Sequence, residues 1–309
     1  MKRMLIFLLA MCGSLPAAVA ANPSVFTYRR GTFESSMTLQ SQDDAYRVYA
    51  VRYPSPMITA FATDNTVYGL FYLPKSKSPV RKPAVIVLHT LGGPNDVTLL
   101  LAAYLARHGI AALHLDMPFY GPRSDGVHHF LSTNVDLTVQ NIKQAVMDIR
   151  RGAGWLADQP EINPARIGIA GVSLGATLAS VSFCVDPRFR AGVLILSGGN
   201  LAKGLVANGL MASRRRMKAL GLNYAFLSKK LAVVDPLTYA PLGAKRRADL
   251  LMFNARQDEI VLPACANALW RALGKPRRYW LYGGHYSTMI YLPDILDKTT
   301  KFFQRKFSP

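Results

Sequence analysis

Gly171-Val172-Ser173-Leu174-Gly175 decides how this chain is read. The pentapeptide follows Ile167-Gly168-Ile169-Ala170, an apolar, strand-like run, and leads into Ala176-Thr177-Leu178-Ala179-Ser180-Val181, a helix start. A serine at a sharp strand-to-helix turn holds its hydroxyl exposed on a strained backbone, and flanking glycines remove side chains where strand and helix approach. The N–H groups of the following helix point to where negative charge would develop.

A serine hydroxyl is a poor nucleophile at neutral pH, so it needs a base, and the base needs an orienting acid. Downstream, Asp249-Leu250-Leu251-Met252-Phe253-Asn254 reads as a strand that ends in the loop Ala255-Arg256-Gln257-Asp258. A further strand, Arg278-Tyr279-Trp280-Leu281-Tyr282, ends in Gly283-Gly284-His285. His285 is the only histidine after Ser173 and is the expected base. Asp258 is the expected acid, because in Asp258-Glu259-Ile260-Val261 it precedes a short apolar turn; Glu259 is its neighbouring rival.

Upstream, Pro83-Ala84-Val85-Ile86-Val87-Leu88-His89 has the composition of a buried strand and is followed by Thr90-Leu91-Gly92-Gly93. Asp116-Met117-Pro118-Phe119-Tyr120-Gly121 and the run Asp148-Ile149-Arg150-Arg151-Gly152-Ala153-Gly154-Trp155-Leu156, continuing through Pro160 and Asn163-Pro164-Ala165-Arg166-Ile167-Gly168, complete the pattern. On these stretches the chain, from about Asn65 onward, resembles the α/β-hydrolase-fold serine hydrolases, most closely the dienelactone-hydrolase-like and acetylxylan-esterase-like group. The order serine, acid, histidine is that of the fold. The resemblance implies an α/β-hydrolase fold: a mostly parallel sheet with helices on both faces and a helical lid insertion. It also implies two oxyanion-hole N–H groups, on Leu91 after the His89 strand and on Leu174 after the nucleophile. Dienelactone hydrolases proper carry a cysteine nucleophile; a serine here favours ordinary ester hydrolysis, which needs no metal or organic cofactor.

Lys2 and Arg3, the apolar run Met4 to Met11, and Ala18-Val19-Ala20 form a three-part export signal, expected to be cleaved near Ala20 and to leave residues 21–309 as one hydrolase domain. The apolar run is too short to span hydrocarbon. The protein is therefore expected to be exported, periplasmic or secreted. Cleavage would leave Cys184 and Cys265, read as two buried free thiols on helices packed against the sheet; an oxidising compartment leaves pairing open. The chain carries 37 basic and 18 acidic residues, a formal net charge of +19. Such a charge predicts attraction to anionic surfaces, an envelope included. Nucleic acid is not an expected partner, because no binding motif accompanies the charge. The expected substrate is a small-molecule or polymer-borne ester.

Early antiparallel strands are expected between about Thr38 and Leu73, then alternating strands and helices, with a long amphipathic helix marked by Ile142, Val146, Ile149 and Ala153 and a final helix from about Met289 to Phe307. The insertion, about residues 200–247, contains Lys203, Arg214, Arg215, Arg216, Lys218, Lys229, Lys230, Lys245, Arg246 and Arg247, with Asp235 as its only carboxylate. Leu205, Leu210, Met211, Leu220, Leu222, Tyr224, Phe226 and Leu227 give it an apolar side. Two roles stand open for it: a lid that forms an apolar acyl pocket and meets an anionic interface, or a plain cover for the sheet edge. His89 is expected to order its loop by hydrogen bonding, Asp116 to fix its own loop, His114 to pack in the core, and His128-His129 to sit in a loop. Two other functions stay open: a serine peptidase of the same fold, and a non-catalytic envelope-binding protein that kept the fold.

Overall fold

The computed structural model describes residues 20–308 apart from residues 30, 77, 78 and 95. The expected export signal lies outside the described residues, except for its last alanine. Strands β1 (Ser36–Gln42), β2 (Tyr46–Pro54), β3 (Thr66–Pro74), β4 (Lys82–Leu88), β5 (Ala111–Leu115), β6 (Ile162–Val172), β7 (Phe189–Ile195), β8 (Leu250–Ala255) and β9 (Arg277–Leu281) form one sheet in the order β1-β2-β3-β5-β4-β6-β7-β8-β9. The β1-β2, β2-β3 and β3-β5 pairs are antiparallel, and the rest are parallel. This is the α/β-hydrolase architecture that the sequence implied.

Helices α1 (Asp96–Arg107), α2 (Val135–Ala157), α3 (Leu174–Val185), α8 (Pro263–Ala272) and α9 (Leu292–Phe307) cover the sheet. Strand β4 shows why both faces need cover. Ala84, Ile86 and Leu88 join one apolar cluster, with α2 and α3. Val85 and Val87 join the other, with α1 and α9. A strand buried on both faces reads as an unbroken apolar run. Gly109, at φ 80°, stops α1 in the left-handed conformation that glycine adopts without strain. The final helix starts at Leu292 with Pro293 in its first turn, and residues Ser287–Tyr291 form a 3-10 turn before it.

The insertion folds into α4 (Leu201–Asn208), α5 (Arg214–Ala219), α6 (Tyr224–Leu231) and α7 (Pro236–Gly243). Asp235, its lone carboxylate, caps α7 and also accepts the backbone N–H groups of Asn200 and Leu201 at 3.0 and 2.6 Å. One buried carboxylate thus ties the two ends of the insertion together. Cys184 and Cys265 are both free, and burial raises both thiol pKa values, Cys184 to about 12. His114 is a core residue on β5, with Nε2 3.0 Å from the Thr98 hydroxyl.

Burial pushes the pKa of His114 from 6.5 down to about 3. The unfolded chain therefore takes this proton first. The stability that neutral His114 supports is intact above about pH 6.5 and is lost as pH falls toward the folded value. His114→Gln removes the titration. Between pH 7.5 and pH 5, its loss of unfolding free energy should be smaller than that of the parent by about 2 kcal/mol. Denaturant melts at the two pH values check this, and identical pH dependence in both proteins would contradict it.

Candidate active site

Ser173 sits where β6 turns into α3, at φ 55° and ψ −114°. A non-glycine residue at positive φ is uncommon, and its cost is borne by the surrounding packing. The flanking glycines are steric necessities. A Cβ at Gly171 would overlap the backbone of Gly175 and Ala176, and one at Gly175 would overlap the carbonyls of Leu88 and His89. These contacts let α3 pack directly against the end of β4.

Pairing between β8 and β9 continues beyond the strands. Arg256 N–H donates to the Leu281 carbonyl at 2.9 Å and Gln257 N–H to that of Gly283 at 3.0 Å. The two loops are therefore zipped side by side and deliver Asp258 and His285 together. His285 Nε2 lies 3.0 Å from Ser173 Oγ. His285 Nδ1 lies 2.9 and 3.0 Å from the two Asp258 oxygens. A carboxylate opposite Nδ1 holds the proton there and leaves Nε2 free to accept from the serine. All three side chains are buried.

The two neighbouring acids have separate positions. Asp258 Oδ1 accepts the N–H groups of Ile260 and Val261 at 2.9 and 2.7 Å, which fixes the carboxylate toward the imidazole. Glu259 is exposed and points elsewhere. Its Oε2 accepts the backbone N–H of His285 at 3.0 Å, and this bond comes first among the causes that hold its pKa below the usual value. Glu259 thus clamps the histidine loop while Asp258 meets the ring.

Leu91 and Leu174 both line the cavity beside Ser173, and neither backbone N–H has an acceptor among the described residues. The Leu174 N–H is one of the unpaired donors at a helix start. That of Leu91 is oriented by its own peptide unit. The Thr90 carbonyl is held by His89 Nδ1 at 2.7 Å and by Gly93 N–H at 3.1 Å. In a planar trans peptide the Leu91 N–H faces the opposite way. Tyr120 OH donates to the Leu91 carbonyl and fixes the next peptide. The loop needs no glycine at Thr90, because the positive φ, 92°, falls at Gly93.

His89 has the ordering role expected of it. Besides gripping the Thr90 carbonyl, its Nε2 accepts the Met117 N–H at 3.0 Å, so the ring is neutral with the proton on Nδ1. Burial pushes its pKa down to about 4. The Asp116 carboxyl packs beside Gly121 of its own loop, where burial raises its pKa to about 6, and the loop is also held by Arg123. Arg123, fully buried, reaches Asp64 Oδ1 at 3.1 Å, Asp148 Oδ2 at 2.9 Å and the Asp116 carbonyl at 3.0 Å. This network supports the loop that carries Met117 and Tyr120, and through them the Leu91 peptide. Sequence reading missed it, because its members lie far apart in the chain; Asp148 stood inside a quoted run with no role attached. His128 lies in a loop, 2.6 Å from Asp125, with its ring against Phe61.

The site opens into a cavity of about 520 Å³. α3 forms its floor, and Leu201, Leu205, Leu210 and Val234 of the insertion form one wall. The apolar side expected for the insertion is divided: Leu205, Met211, Leu222 and Leu227 are buried, whereas Leu220, Tyr224 and Phe226 are exposed. Its basic side is also mixed. Arg246 stacks on Phe183, with its guanidinium 3.9 Å from the ring centre, and bonds to the carbonyls of Phe183 and Phe189, so it is structural. Lys230 pairs with Asp136 at 2.8 Å. Arg214, Arg215, Arg216 and Lys218 are exposed, and no lysine or arginine lines the cavity among the described residues.

Comparison with known proteins agrees with this architecture. The family described as "Alpha/beta hydrolase domain containing 18" matches residues 36–249, a span that holds Leu91, Ser173 and Leu174 and stops short of Asp258 and His285. An uncharacterized protein of Mycobacterium tuberculosis is 26% identical over 236 residues, 73% of this chain and 54% of that protein. The chain thus spans about half the length of that relative. Among solved structures, an acetyl xylan esterase from Paenibacillus sp. R4 superposes with a TM-score of 0.68 at 17% identity over 89% of each chain. A puromycin-hydrolyzing peptidase of Mycobacterium tuberculosis superposes at 0.61 and 16% identity, over 89% of this chain and 40% of its own.

Proposed function

We propose, from the premise that this chain belongs to the alpha/beta hydrolase domain containing 18 family, that it is an exported serine hydrolase that cleaves carboxylic esters through an acyl-enzyme. One observation carries the reading: the unbroken hydrogen-bond chain Ser173–His285–Asp258 at the floor of an apolar cavity. In the proposed cycle His285 Nε2 takes the Ser173 proton as Oγ attacks the ester carbonyl. Asp258 holds the imidazole and stabilises its charged form. The N–H groups of Leu91 and Leu174 receive the oxyanion, a contribution of about 10²–10³ in rate per donor. The alcohol leaves with the proton from His285. Water, deprotonated by His285, then attacks the acyl carbon and frees Ser173. No metal or organic cofactor enters the cycle. Ester hydrolysis is preferred to peptide hydrolysis because the cavity floor along Leu174, Leu178 and Val181 is apolar and, among the described residues, no lysine or arginine lines the cavity to read a peptide. Turnover of p-nitrophenyl butyrate, against a panel of peptide anilides, tests the choice. Cleavage of anilides at rates comparable to the ester would reverse it.

The exposed face of the insertion supports presentation of that ester at an anionic surface. Arg214, Arg215, Arg216 and Lys218 lie in one stretch with the exposed apolar Leu220, Tyr224 and Phe226. Exposed charges are screened over about 8–10 Å near physiological ionic strength. Hydrolysis of an ester carried in anionic vesicles should therefore fall at least tenfold between 50 and 500 mM salt, while a soluble neutral ester responds little. Arg214→Gln, Arg215→Gln and Arg216→Gln together should flatten the vesicle curve. Equal salt dependence on vesicles and soluble ester would leave the insertion a solvated cover.

A further inference from the structure

The cavity lining runs from exposed to deeply buried residues. Tyr286 is 71% exposed. Val181 of α3 and Ile142 of α2 are 1% and 3% exposed, and Leu205 and Val234 of the insertion line the same cavity. Leu174, Thr177, Leu178 and Val181 follow one another at helical spacing along the floor. From Leu174 to Val181 the axis rises about 10 Å. The polar atom on this floor, Thr177 Oγ1, is occupied: it donates to the Ser173 carbonyl at 3.2 Å. This arm of the lining, which begins beside the nucleophile and runs along α3, is thus apolar, and no cation of the basic insertion lines it among the described residues.

We propose that this arm receives the acyl chain and measures its length, with Val181 and Ile142 as the stop, so that the preferred substrates carry unbranched acyl groups of about eight carbons. The proposal rests on the ester-hydrolase reading above. An acetyl group would occupy only the mouth of the arm and leave apolar wall unburied. A longer chain buries that wall, and each buried methylene contributes about fourfold in binding. The acetyl xylan esterase that shares the fold at 17% identity does not set the acyl group used here.

The test is a chain-length profile of kcat/KM for the full-length protein on p-nitrophenyl esters from acetate to palmitate. A parallel set of acetate esters with lengthening alcohols serves as comparison. The value should rise at least a hundredfold from acetate to octanoate, then level or fall beyond about ten carbons. Val181→Phe fills the stop and should lower the octanoate-to-butyrate ratio at least tenfold. Ile142→Ala opens it and should move the optimum toward longer chains; this variant and the parent profile decide the matter if Val181→Phe does not fold. A profile that is flat or favours acetate, a gain that follows the alcohol rather than the acyl group, or an optimum unmoved in the folded variants would overturn the proposal. Those outcomes leave ester hydrolysis standing. Failure to cleave any ester, acetate included, would overturn the underlying reading as well.

Discussion

Ser173→Ala is expected to lower ester turnover by about a millionfold while the protein stays folded. Loss of the nucleophile from a triad that acts as a unit has an effect of this order, because histidine and acid do little alone. The replaced hydroxyl sits at the cavity floor, and its removal leaves almost no void, so stability should change by no more than about 1 kcal/mol. The measurement is kcat on p-nitrophenyl butyrate beside a thermal melt. Retention of more than a thousandth of the parent turnover by a folded variant would remove Ser173 from the chemistry.

Asp258→Asn is expected to lower kcat about ten-thousandfold with little change in KM, because an amide opposite Nδ1 favours the wrong imidazole tautomer. The neighbouring Glu259→Gln should be mild, within several-fold. The amide oxygen can still accept the His285 N–H that Glu259 holds at 3.0 Å, and this bond positions the loop rather than the proton. The pair of variants separates the two acids by kinetics. A crippled Glu259→Gln beside an active Asp258→Asn would reassign the triad acid.

Much of this site was legible because its sequence signals are the site's own mechanics. Glycines at 171 and 175 stand in the sequence because the backbone there admits no Cβ. The apolar pair after Asp258 pointed to that residue because the N–H groups of Ile260 and Val261 bind its carboxylate. The buried strands β4 and β6 announced themselves as apolar runs for the same reason that they are central. The sequence favoured Asp258 over Glu259 by the apolar turn alone; in the fold, pairing of Gln257 with Gly283 sets Asp258 against the His285 ring and Glu259 against the His285 backbone N–H.

Other features were illegible for a physical reason. The support of the Leu91 peptide by Arg123, Asp64 and Asp148 depends on long-range closure between β3, β5 and α2, and no local period encodes it. Helix α8 was legible only at Cys265, read as a buried thiol on a helix, because its buried stripe of Cys265, Ala266 and Leu269 is short and begins directly from the acid loop. The basic composition of the insertion suggested a basic exterior that meets an anionic interface. In the fold Arg246 lies against Phe183, and Lys230 pairs with α2. Composition reports charge but not which charges the packing consumes.

Covalent capture decides whether Ser173 is the nucleophile of a working triad. The full-length protein is treated with a fluorophosphonate, and the adduct is located by peptide mass spectrometry. Stoichiometric phosphonylation is expected on the peptide containing Ser173, with labelling slowed by several orders of magnitude in Asp258→Asn. No adduct on the folded protein, or an adduct on another residue with Ser173 unmodified, would contradict that role for Ser173.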